Sequence, residues 1–156
     1  PFDGDPDFIE QTAISMDWLL SSLSALPTQS ASVYVDACFG GIGRDNAQIF
    51  STERPITIRV KKPTIRGNTS MDYLSASSSG QYSSSLASER HGIFTYSLLK
   101  GLKGYSDLNA DGQITVGELH RYVEEQTART SQLNNKLQTP VSIIGDSTRV
   151  MLRYGR

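Results

Sequence analysis

The stretch Val33-Tyr34-Val35-Asp36-Ala37-Cys38-Phe39-Gly40-Gly41-Ile42-Gly43 decides how the rest of the chain is read. Its first three residues form a β-branched and aromatic run, the pattern of a buried strand. The run ends at Asp36 and Ala37, meets Cys38, and passes into three closely spaced glycines. A strand that stops at a thiol and turns through glycine presents that thiol at the carboxyl edge of a sheet. Open α/β sheets do their chemistry at that edge. Glycines placed there let the backbone approach a substrate and aim N–H groups at a developing oxyanion. Cys38 is the sole cysteine. It therefore has no partner for an intrachain disulfide and no second thiol with which to share a metal.

Composition narrows the classes around this stretch. A chain of 156 residues, 37% hydrophobic and 20% charged, fits one domain with enough length to bury a core. A formal net charge of −1 gives no electrostatic reason to expect nucleic acid or an anionic membrane as partner. No apolar run reaches the roughly eighteen residues of a membrane span. One cysteine does not identify the redox compartment; a soluble, cytoplasmic setting is the expectation. The chain opens on Pro1-Phe2-Asp3-Gly4-Asp5-Pro6, without initiator Met or leader pattern, which suggests the interior of a longer protein.

Outward from the central stretch, Thr12 is predicted to cap a helix running to about Leu26 and ended by Pro27. Met16, Leu19, Leu20, Leu23 and Leu26 recur on one face of it. Helix followed by strand (32–37) is half of a βαβ unit, so a preceding parallel strand is expected before Pro1. Residues 44–70 form a basic, irregular segment with Arg44, Arg54, Arg59, Lys61, Lys62 and Arg66, in which Pro55–Lys62 alternates like an edge strand. Met71–Ser77 reads as another buried strand and is followed by a serine-rich turn over 77–85. Arg90–Leu102 then leads from a loop into an amphipathic helix, about 93–103, and a second helix covers about 116–129. Val141–Ile144 and Thr148–Tyr154 close the chain, the latter with a strand.

Between those helices, Asp107–Glu118 (DLNADGQITVGE) fits the calcium-loop pattern D-x-[DN]-x-[DN]-G-x₅-E. Asp107, Asn109 and Asp111 would supply oxygens, Gly112 the sharp turn, Gln113 its carbonyl, and Glu118 the closing carboxylate. The competing reading is an Asx-rich turn in which Thr115 caps the next helix and Glu118 completes a capping box.

Asp36-Ala37-Cys38-Phe39-Gly40 resembles the nucleophile segment of metacaspases and bacterial caspase-like peptidases. The resemblance extends in order to PFDGDP at the start and to HGIFTYSLLKGLKG at 91–104, covering about residues 1–130. It implies an α/β fold, a three-layer α/β/α caspase-like sandwich of one domain over 1–156, incomplete at its N-terminus. It also implies a cysteine endopeptidase (family C14) acting on protein or peptide substrates, with Cys38 as nucleophile. Asp36 would then line the pocket for an Arg or Lys P1 side chain, by a charge-assisted pairing; the plain alternative is a turn-capping aspartate. The plain reading of the basic segment 44–70 is a solvated loop; cutting within it, at Lys62 or Arg66, would make it a processing linker.

The general base is missing from this picture. Caspases carry it about 50 residues upstream of the cysteine, and the 37 residues before Cys38 contain no histidine. His91 matches a non-catalytic family position, and His120, on a helix beside Leu119 and Tyr122, is read as a surface or capping residue. The base is accordingly expected from an N-terminal segment or subunit preceding Pro1. No cofactor is needed for the chemistry; calcium at 107–118 is the one candidate. The rival functions are an inactive caspase-like scaffold or calcium-sensing interaction module, and a caspase-like enzyme of different P1 preference.

Overall fold

In the computed structural model, the described residues are 5, 8–37, 70–76, 78, 85–86 and 91–154. Cys38, the glycines that follow it, the basic segment 44–69 and most of the serine-rich turn lie outside them. The fold is a mixed α/β arrangement built on two strands, β1 (Ser30–Val35) and β2 (Ser70–Ser75). They run parallel in continuous register, from Ser30 opposite Ser70 to Val35 opposite Ser75. A short later strand, Val141–Ile143, pairs antiparallel with the other side of β2, placing Tyr73 opposite Ile143. β2 is thus central, with every residue from Met71 to Ala76 buried.

Side-chain alternation along β2 divides the core in two. Met71 and Tyr73 point to one face, where Leu20 covers them with Met16 and Leu23. Those three residues belong to α2 (Met16–Ser24), which follows a single turn, α1 (Ile9–Thr12). Leu74 and Ala76 point to the opposite face, against Phe94, Ile114, Leu119, Tyr122 and Val123. These come from α3 (Ile93–Lys100), from β5 (Gln113–Thr115) and from α4 (Val116–Leu133). Two two-residue strands, β3 (Ser85–Leu86) and β4 (His91–Gly92), form a ribbon that leads into α3. In chain order Val141–Ile143 is β6, and β7 (Val150–Arg153) returns antiparallel to β5.

Three expectations are corrected by local hydrogen bonding. Thr12 does not cap the long helix. Its hydroxyl donates to the Asp5 and Phe8 carbonyls at 3.0 and 2.9 Å, closing α1, and Ser15 Oγ accepts from Trp18 N–H at 3.1 Å to start α2 instead. The helix also stops at Ser24, short of Leu26, which is half exposed. The first helix of the HGIFTY segment ends at Lys100 and passes into a π-helical turn, Gly101–Tyr105, with Gly104 at φ 113°. No helix among the described residues is long and apolar enough to cross a membrane.

The α3/α4 side of the sheet also encloses polar groups. Asp72, fully buried on β2, forms an ion pair with Arg149. Its carboxylate further accepts from Ser32 Oγ at 3.2 Å and from Gly145 N–H at 3.0 Å. Arg149 Nη2 also reaches Ser32 Oγ at 2.7 Å. Side chain and backbone thus tie the turn at 145–149 to both parallel strands.

Candidate active site

β1 delivers its last residues to the carboxyl end of the parallel pair. Asp36 and Ala37 follow the strand directly, both partly buried. The Asp36 carboxylate crosses to the start of α3, where Thr95 Oγ1 donates to Oδ2 at 2.5 Å. The same oxygen lies against Gly92, the N-cap of that helix. A carboxylate at a helix N-terminus also gains from the helix dipole. The structure therefore brings together Asp36 and the HGIFTY segment, which stand about 55 positions apart in sequence. Cys38, two residues further on, lies outside the described residues.

His120 is not on the surface. It is buried, 1% exposed, with Nδ1 2.7 Å from Ser142 Oγ and its ring edge-on to Tyr34 at 6.0 Å. Nε2 is buried and has no partner among the described residues. Helical spacing accounts for the position: Val116, His120, Val123, Thr127 and Ser131 are all buried and recur at steps of three and four. That stripe was the available signal, and polarity at one of its positions masked it. A ring enclosed in this way has no access to a peptide bond.

Burial holds the His120 imidazole below its ordinary pKa, with the Asp72 charge opposing and the Arg149 charge adding to the effect. The unfolded chain takes up this proton near the usual value of about 6.5, while the native state resists it. Below that pH the unfolded state binds more protons, so stability falls as pH drops, by up to about 1.4 kcal/mol per pH unit until the native imidazole also titrates. Urea midpoints at pH 7.5 and 5.5 should show this loss, and His120→Gln should reduce it. An unchanged slope in that variant would assign the acid loss to other groups.

The loop at 107–118 satisfies its own backbone. Asp107 accepts from the N–H groups of Asp111 and Gly112 at 3.1 and 3.0 Å, Asn109 from Asp111 N–H at 3.0 Å, and Asp111 from Gln113 N–H at 2.8 Å. Gly112 takes φ 80°, the left-handed turn expected of it. Glu118 faces its own cap, with Oε2 accepting from Thr115 N–H at 2.9 Å while Thr115 Oγ1 accepts from Glu118 N–H at 3.2 Å. This is the capping box. The loop bonds leave lone pairs on Asp107, Asn109 and Asp111, whereas Glu118 as a calcium ligand would have to turn from its cap.

A family model described as the caspase domain matches residues 1–149. No curated protein and no solved structure matches the chain. The family match spans the β1 strand and its cysteine, the Asp36–Thr95 junction and the C-terminal Arg149, and so covers nearly all of the architecture described above. The chain belongs to the caspase domain family of C14 peptidases.

Proposed function

We propose that this chain is the cysteine-bearing part of a caspase-type endopeptidase that cuts after Arg or Lys. Cys38 is the nucleophile, Asp36 meets the P1 cation, and a histidine from sequence preceding Pro1, or from a separate subunit, is the base. The observation that carries the reading is the parallel β1–β2 pair ending at Asp36, with that carboxylate set against the start of α3. It puts an acidic side chain two residues before the thiol, at the sheet edge where α/β folds act.

In this mechanism the thiolate attacks the peptide carbonyl, forming a C–S bond while the carbonyl π electrons move to oxygen. Backbone N–H groups receive the oxyanion, one from Cys38 and one from a glycine beside the histidine. The histidine, having taken the thiol proton, returns it to the leaving amine as the C–N bond breaks. Water then hydrolyses the thioester. The wider architecture proposed is the three-layer α/β/α sandwich. Helices on both faces of β2 support it. So does the outer edge of β1, which has no strand beside it among the described residues and could take a strand from preceding sequence.

The natural full-length protein, given fluorogenic peptides with Arg, Lys or Asp at P1, should turn over the first two. Turnover of the Asp peptide alone would remove the role given to Asp36. No turnover of any would favour an inactive scaffold.

A further inference from the structure

Gly92 is a glycine for a reason its own backbone does not supply. Its φ of −63° and ψ of 148° are extended values open to any residue. A Cβ built there, however, would lie 2.6 Å from Asp36 Oδ2 and 3.4 Å from its Cγ. The missing methyl is what lets the carboxylate reach the helix start. On the first turn of α3, the partly buried Thr95 donates its hydroxyl proton to that same Oδ2. One contact admits the oxygen and the other holds it.

We infer that Gly92 and Thr95 are positioning residues for Asp36, which fix the plane of its carboxylate and thereby make the β4–α3 junction a determinant of P1 selectivity. The inference rests on the reading of Asp36 given under the proposed function. Its chemistry is directional. A guanidinium is a planar fork that meets a carboxylate through two parallel N–H···O bonds, and this requires the carboxylate plane to be held. A lysine ammonium is a compact charge that tolerates rotation of its partner. The Thr95 bond is one of the contacts that hold this carboxylate in its plane. Releasing that bond should therefore harm recognition of arginine more than recognition of lysine, whereas general loosening of the fold would harm both alike.

The test uses the natural full-length protein and two peptides that differ only in Arg or Lys at P1. Thr95→Val is expected to lower kcat/KM for the Arg peptide by roughly tenfold to a hundredfold, the scale of an ångström-level misplacement, and for the Lys peptide by less. Thr95→Ser, which keeps the hydroxyl, should restore the ratio. Gly92→Ala should shift it in the same direction as Thr95→Val. Asp36→Asn separates the two levels of the argument. Should it leave Arg and Lys cleavage intact, Asp36 is not the P1 partner and both readings fall. Should it abolish both while Thr95→Val leaves their ratio unchanged, the P1 reading stands and the positioning role is overturned. The packing link has a readout without catalysis. Gly92→Ala should lower the urea midpoint in the parent protein and much less in an Asp36→Ala background, where the added methyl meets no carboxylate. Equal losses in the two backgrounds would overturn the contact.

Discussion

Replacing Arg149 by methionine should destabilise the fold by about 3–5 kcal/mol, the range found when one partner of a buried ion pair is removed. The size follows from Asp72. Its side chain is 0% exposed on the central strand, while that of Arg149 is 25% exposed. Without the guanidinium, the carboxylate keeps its bonds from Ser32 Oγ and Gly145 N–H but loses its counter-charge in a site water does not reach. For a chain of this length the loss corresponds to roughly a 10 °C fall in Tm. Asp72→Ala should cost less, because the partly exposed Arg149 can turn to solvent, although Ser32 and Gly145 then lose an acceptor. Replacing both partners with apolar residues should recover much of the loss, because a buried pair contributes little net stability against a well-packed hydrophobic substitute. Urea denaturation of the three variants checks the order. A loss below about 1 kcal/mol for Arg149→Met, the scale of an exposed pair, would show that the pair is solvated in solution.

This pair also marks the boundary of what could be read from sequence. The strands around Val33–Val35 and Met71–Ser75, the helix from Val116 and the Thr115–Glu118 capping box are local patterns, each set by residues within a few positions of one another. Asp72 and Arg149 are 77 residues apart, and an aspartate inside an apolar strand carries no mark of its partner. His120 failed differently. The period that buries it is present in the sequence, and the polarity of the imidazole conceals it. Ser15 ranks above Thr12 as a cap by residue type, and the return of the chain to Asp5 gives Thr12 its other role. At the candidate site, Asp36 could be singled out because it stands beside the cysteine. Gly92 and Thr95 could not, because their part depends on β4 and α3 folding back onto the end of β1.

Cys38→Ala, in the natural full-length protein, should reduce kcat/KM on an Arg-P1 peptide by about 10⁴-fold or more, the scale of losing a covalent nucleophile. What survives is the contribution of binding and oxyanion stabilisation, which do not need the thiol. Cys38→Ser should be nearly as inactive. A base matched to a thiol of pKa about 8.5 has little power to deprotonate a hydroxyl, so the oxygen stays protonated during attack. Alkylation gives the complementary measurement. This chain carries one cysteine, so iodoacetamide modification within it, mapped to the peptide bearing Cys38, must rise in step with the loss of activity. A thiolate stabilised by a neighbouring histidinium also reacts well below pH 8.5, whereas an inert buried thiol does not react until the chain unfolds. Rapid native labelling at pH 6, slowed by a peptide aldehyde with Arg at P1, would join nucleophile and P1 pocket in one site. Full activity after stoichiometric labelling, or a Cys38→Ala protein as fast as the parent, would leave the thiol without a part in the chemistry.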